Sequence, residues 1–102
     1  MDYQLAQDLR DAGFPQIGRG TQIGPSDKLV WRAGDRVYMP TLSELIEACG
    51  KRFWMLEACD LEAGNWHASG YAAAKIEDAY GSSPDEAVAR LWLALNKTYF
   101  AV

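Results

Sequence analysis

One stretch constrains the fold more than any other, residues 81–96, which read GSSPDEAVARLWLALN. Ser83 suits a helix N-cap because its hydroxyl can accept from the Glu86 amide, while the Glu86 carboxylate can reach back to the Ser83 amide. Pro84 falls at the first helical position, where its fixed φ suits a helix and its missing N–H costs nothing. The pattern predicts a helix that begins at Pro84.

Large apolar residues on this helix recur at a spacing of three and four, which places them on one face that must pack against another element. They are Val88, Leu91, Trp92, Leu95 and Tyr99. A second group, Leu93 with Ala89, Asn96 and Phe100, lies off that face. An exposed stripe of this kind is typical of a homodimer seam or a partner groove. The alternative is that the N-terminal helix covers it.

Two further helices are predicted upstream. The first covers Asp2–Ala12, with Asp2 as its N-cap and Gly13 in the left-handed position that follows a helix. The second begins after Thr41, whose hydroxyl forms another capping box with the Glu44 carboxylate, and ends at Gly50.

Four strands are predicted between the helices. Leu29–Arg32 and Arg36–Met39 flank a short turn and indicate a first hairpin, in which Trp31 pairs with Tyr38. Phe53–Cys59 and Trp66–Tyr71 indicate a second hairpin. In its second strand Trp66, Ala68 and Gly70 share one face, while His67, Ser69 and Tyr71 share the other. Residues 72–80 fit either an irregular segment or a third strand near its end.

The order of these elements predicts a small α+β fold, an antiparallel sheet of three to four strands packed against two to three helices. A chain of 102 residues, 49% of them hydrophobic, is expected to form one domain over residues 1–102. The N-terminus, Met1-Asp2-Tyr3-Gln4, has neither the basic nor the apolar region of a signal peptide, so we expect a cytoplasmic location without a membrane association.

The charge pattern argues against a nucleic-acid partner. The net charge is −4, and residues 41–102 carry nine acidic and five basic side chains. Binding to a nucleic-acid backbone requires several phosphates to be neutralised, whereas this pattern leaves a basic protein partner open. The alternative, a nucleic-acid-associated protein, would use Arg32, Arg36, Lys51 and Arg52.

The sequence offers no converging catalytic, cofactor-binding or metal-binding set. Residues 16–28 are rich in glycine but lack the phosphate-loop spacing, so they are interpreted as a mobile surface loop. Cys49 and Cys59 are expected to be small buried hydrophobes. His67 is the sole histidine, with Glu57 and Ser69 as candidate neighbours across the second hairpin. An alternative is therefore a ligand-binding or enzymatic domain that uses the Glu57–His67 hairpin beside Trp54 or Trp66.

Two resemblances are carried by local motifs. Residues 81–95, after a strand like Trp66–Gly70, look like the C-terminal part of small uncharacterised proteins encoded in bacteriophages and prophages, and Tyr38–Ile46 is similar to the same group. The helix start after a β-hairpin also resembles HicB-type antitoxins over about 15 residues. That resemblance implies a β-rich domain that binds a small basic toxin.

These observations favour a non-enzymatic protein of phage or prophage origin that acts by protein–protein interaction or self-association. The apolar residues predicted to form an interaction surface are Leu93, Ala89, Phe100, Trp54 and Trp31.

Overall fold

The computed structural model describes residues 1–61 and 64–100, with the backbone alone described at residues 61 and 97–100. Its helices and strands run in the order α1 (Tyr3–Asp11), β1 (Thr21–Ile23), β2 (Val37–Met39), α2 (Leu42–Cys49), β3 (Phe53–Leu61), β4 (Gly64–Ala72), β5 (Lys75–Gly81) and α3 (Pro84–Phe100). Short 3₁₀ turns cover Ala33–Asp35 and Gly50–Arg52. The α+β class is confirmed. No helix of the described residues is long and apolar enough to cross a bilayer.

The predicted helix boundaries are confirmed by their capping hydrogen bonds. Asp2 accepts from the Leu5 amide, and the amides of Gly13 and Phe14 return to carbonyls in the last turn of α1. The Thr41–Glu44 capping box closes the start of α2 in both directions. At α3 the Glu86 amide donates to Ser83 as predicted. The Glu86 carboxylate instead accepts from Ser82 and pairs with Arg90 at 2.7 Å.

Strands β3, β4 and β5 form an antiparallel sheet with β4 in the centre. The second hairpin is confirmed, and residues 72–80, which the sequence left open, supply most of β5. The turn between β4 and β5 consists of Ala73 and Ala74, both with positive φ. A two-residue turn of this kind matches the twist of the flanking strands, although it is usually built from Asn and Gly.

The first hairpin was predicted incorrectly, since β2 pairs with β1, which lies inside the segment expected to be a loop. Two polar groups explain the difference. The Asp35 carboxylate accepts from the Arg32 amide and turns the chain at 33–35, so residues 29–32 do not run back along β2. The Tyr38 hydroxyl accepts from the Gly20 amide at 2.6 Å, which brings β1 alongside β2.

Helix α3 packs on one face of the three-stranded sheet and is flanked by α1 and α2. The sheet face beneath it carries small residues, which are Ala68, Gly70, Ala72, Ala79 and Gly81. At Gly81 a Cβ atom would lie 2.6 Å from the Ala87 amide nitrogen, so glycine is required for this close approach. Val88, Leu91 and Leu95 of α3 are fully buried. Trp92 is buried too, with its ring edge-on to Phe14 at 5.0 Å.

Candidate interaction surface on the open sheet face

The side of the three-stranded sheet opposite α3 has no covering helix among the described residues, and we call it the open face. It presents alternate residues of the three strands, as the pairings Glu57↔His67, Met55↔Ser69, His67↔Tyr80, Ser69↔Asp78 and Tyr71↔Ile76 show. Its members are Trp54, Met55, Glu57, His67, Ser69, Tyr71, Ile76, Asp78 and Tyr80. The predicted sharing of one face by His67, Ser69 and Tyr71 is confirmed.

A β-bulge brings Trp54 to this face. The register shifts between Phe53 and Met55, so that Trp54 is an extra residue on β3. Phe53 packs against the core, whereas the Trp54 ring lies 5.6 Å from the Tyr71 ring. Bulges re-aim side chains in this way by interrupting the strict alternation of a strand. The open face therefore carries one more large aromatic side chain than a regular strand would supply.

A polar cluster locks the centre of the open face. His67 Nδ1 lies 3.0 Å from Glu57 Oε1 on β3, and Nε2 lies 2.8 Å from Asp78 Oδ1 on β5. The ring stacks on Tyr80 at 4.8 Å between centroids. Its side chain is only 15% exposed, although both carboxylates are about half exposed. His67 thus ties the central strand to both of its neighbours.

The two carboxylates favour the protonated imidazole. The hydrogen bond to Glu57, and next the one to Asp78, raise the pKa of His67 above its usual value, while burial opposes them. The pKa of Asp78 is lowered, first by the hydrogen bond from Ser69 and then by the one from His67. With His67 protonated, the cluster has one positive and two negative charges, so the centre of the open face is acidic.

The same hydrogen bonds argue against nucleophilic catalysis by Ser69. Its hydroxyl lies 3.0 Å from His67 Nε2, a distance that a nucleophile and its base would have. However, the hydroxyl donates to Asp78, and Nε2 itself donates to Asp78 when His67 is protonated. Ser69 is also buried, so no substrate atom can reach its oxygen. The arrangement is that of a structural cross-strand network.

The cluster is equally unsuited to a metal ion. Glu57 and Asp78 bind opposite nitrogens of the ring, so their oxygens cannot converge with either nitrogen on a single ion. Across the described residues, no group of three or more His, Cys, Asp or Glu side chains is arranged to hold a metal.

Apolar side chains dominate the end of the open face where β4 turns into β5. Trp54 is 53% exposed, Ile76 47% and Tyr71 43%, and the pairing of Tyr71 with Ile76 makes these three neighbours. We call them the apolar patch. Exposed large hydrophobic side chains that are contiguous and rimmed by charges are typical of an interaction site.

A shallow cleft of about 340 Å³ lies away from this face. It is lined by Met39, Leu42 and Pro84, with Arg19 and Asp85 among its walls.

The residues of the predicted interaction surface are dispersed by the fold. Ala89 is fully buried, and Leu93 is partly buried against the core, so Ala89 is not part of an exposed stripe on α3. The small residues under α3 let the helix sink deeply enough to bury more than one stripe. The Phe100 side chain lies outside the described residues. Trp54 is in the apolar patch, and Trp31 lies on the loop before β2.

Sequence reasoning missed Ile76 and Asp78 as members of the surface that carries Tyr71. The pairing of β4 with β5 brings them together, and β5 was not firmly predicted because its turn lacks glycine and asparagine. The alternation of Ile76, Asp78 and Tyr80 was the available signal.

Comparison with known proteins adds no assignment, since no family model, curated protein or solved structure matches this chain.

Proposed function

We propose that this chain is a non-enzymatic protein-interaction module whose open face is the binding surface. The observation that carries the proposal is the apolar patch of Trp54, Tyr71 and Ile76, displayed beside half-exposed carboxylates on a sheet fixed from behind by α3. Tryptophan and tyrosine are the residues most often found at the energetic centre of protein interfaces.

The rigidity of the open face supports this role. Its central residue, His67, is held by both neighbouring strands, and Trp54 is held by its contact with Tyr71. A surface that is already ordered loses little conformational entropy when a partner binds. The acidic centre indicates a partner that offers apolar side chains together with arginine or lysine.

The charges of the open face disfavour nucleic acid. Platforms for single strands surround their aromatic residues with lysine and arginine, whereas Glu57 and Asp78 lie on this face beside the apolar patch. Of the basic residues named for that alternative, Arg32 and Arg36 flank the turn before β2, and Lys51 and Arg52 lie in the turn before β3. The phage or prophage origin and the cytoplasmic location remain predictions.

Photo-crosslinking tests the proposal directly. A photoreactive aromatic amino acid introduced in place of Tyr71 or Ile76 is expected to give a discrete adduct with a protein in cells that produce the chain. The matched control carries the same amino acid at Ser43, an exposed position on α2. If the positions on the open face give no adduct, or only the adducts that Ser43 gives, the proposal is wrong.

A further inference from the structure

The loop between β1 and β2 presents two aliphatic side chains to solvent. We call residues 24–36 the braced loop and Leu29 with Val30 its tip. Leu29 is fully exposed and Val30 is 80% exposed, more than any residue of the apolar patch. Two adjacent aliphatic residues held this far into water cost free energy, since burying each would contribute about 1.5–3 kcal/mol. Such a tip calls for a partner surface that covers it.

Contacts at both ends of the tip hold the braced loop in place. The Trp31 ring packs on Gly24, where a Cβ atom would lie 2.4 Å from the ring, and its indole N–H donates to the Pro25 carbonyl at 3.0 Å. The Asp35 carboxylate accepts from the Arg32 amide and from Lys28 Nζ. The tip is therefore displayed by an ordered scaffold.

The charges around the tip are mainly positive. The braced loop contains Lys28, Arg32 and Arg36 against Asp27 and Asp35, a net charge of +1 in a chain of −4. Lys28 is paired with Asp35 at 3.3 Å. Arg32 and Arg36 are exposed and have no ion pair within the described part of the chain.

The tip and the open face are complementary in hydrophobicity and in charge. One offers two aliphatic side chains flanked by free guanidinium groups, and the other offers an apolar patch beside half-exposed carboxylates. We propose that the open face of one copy binds the Leu29–Val30 tip of a second copy, with Arg32 and Arg36 directed towards Glu57 and Asp78. This inference rests on the proposed function, because it names the partner of the same surface.

The position of the two surfaces determines the kind of assembly. The Tyr3 hydroxyl donates to the Asp35 carbonyl and ties the braced loop to α1, which packs on α3. Helix α3 covers the face of the sheet that lies opposite the open face. Because the braced loop is tied to the helical layer and the open face lies on the opposite side of the sheet, we expect the contact between the tip and the open face to be head-to-tail. Head-to-tail contacts generate rings or open chains of molecules rather than an isologous dimer.

Two double variants each disrupt one of the two surfaces. L29D/V30D removes the tip and leaves the open face intact, while W54R/I76R makes the open face cationic and leaves the tip intact. Sedimentation velocity at rising concentration is expected to show assemblies larger than the monomer for the wild type. Each variant alone is expected to associate at least about tenfold more weakly. Ile17→Asp, at an exposed residue outside both surfaces, is the matched control and should associate like the wild type.

Mixing the two variants gives the decisive result. Each retains the surface that the other lacks, so the mixture is expected to form a heterodimer that grows no further. A wild type that stays monomeric, or a mixture that fails to associate, would overturn the inference. If circular dichroism shows that a variant is unfolded, the salt dependence of the wild type's association decides. Association that does not weaken as the salt concentration rises would overturn the inference.

The outcomes also separate this inference from the proposed function. An adduct with a different protein at Tyr71, together with a monomeric wild type, leaves the proposed function standing and overturns the self-association. Adducts absent from the open face, together with association that survives W54R/I76R, overturn both.

Discussion

The contributions of His67 and Asp78 to the free energy of unfolding depend on pH in opposite directions. The pKa of His67 is raised above the ordinary 6.5, chiefly by the hydrogen bond to Glu57, so its stabilising contribution is complete below pH 6.5 and is lost as the pH rises through the raised pKa. The pKa of Asp78 is lowered, so its contribution is present above the ordinary 3.8 and is lost as the pH falls through the lowered pKa. The cluster is therefore most stabilising between these two ordinary values.

The direction of the pH dependence that His67 contributes can be measured because the chain has a single histidine. We expect the free energy of unfolding by urea to be lower at about pH 8 than at about pH 5.5, by about 1 kcal/mol. His67→Gln should remove most of this difference. A wild type whose stability rises over this interval would contradict the account of the cluster.

Tyr38 is the residue that determines the pairing of β1 with β2. Its buried hydroxyl donates to Glu44 at 2.6 Å and accepts from the Gly20 amide. Tyr38→Phe leaves both groups without this partner and is expected to destabilise the protein by about 1–3 kcal/mol in urea denaturation. Tyr71→Phe, at an exposed position, is the control and should change stability by less than about 0.5 kcal/mol. Equal effects of the two changes would show that the Tyr38 hydroxyl is dispensable.

The β4–β5 turn is an element whose sequence disagrees with its conformation. Ala73 and Ala74 both adopt positive φ, which costs an L-residue with a Cβ atom roughly 1–2 kcal/mol. The double substitution A73N/A74G supplies the residues that this turn favours, so it is expected to raise the free energy of unfolding by about 1 kcal/mol or more. Ala58→Gly, in the extended backbone of β3, is the control and should lower it by about 0.5–1 kcal/mol. A destabilised A73N/A74G protein would mean that the turn is built differently.

The elements that sequence reasoning located correctly are those with local signals. The caps at Asp2, Thr41 and Ser83 act within four residues, and the helical periodicity of α3 needs no knowledge of the rest of the chain. The first hairpin was wrong because its alternative depends on contacts between distant residues, such as Tyr38 with Gly20. Strand β5 was uncertain because Ala73-Ala74 carries no turn signal.

At the scale of the whole molecule, the candidate site could be predicted only in part. Trp54 was named from the sequence, and the neighbours Glu57, His67 and Ser69 were anticipated across one hairpin. Asp78 and Ile76 join them through the β4–β5 hairpin, and the bulge at Trp54 adds one register shift that no local pattern indicates. The burial of Ala89 likewise follows from small residues on β4 and β5, which lie on other elements.

The two exposed surfaces belong to different layers of the molecule. The braced loop is tied to helix α1, and the open face is on the side of the sheet away from the helices. The free edge of β5 is partly covered by the Arg90 side chain, which donates to the Tyr80 carbonyl. A carbonyl occupied in this way is not free to pair with another strand. Association through faces is therefore favoured over extension of the sheet at this edge.

The central claim, that the open face binds the tip of the braced loop of another copy, is tested most directly by the ¹⁵N NMR spectrum of the wild type as it is diluted. The account predicts that the amide signals of Tyr71, Ile76, Leu29 and Val30 shift together with concentration, while that of Ser43 on α2 does not move. A spectrum that is the same at every concentration, or shifts confined to other surfaces, would contradict it.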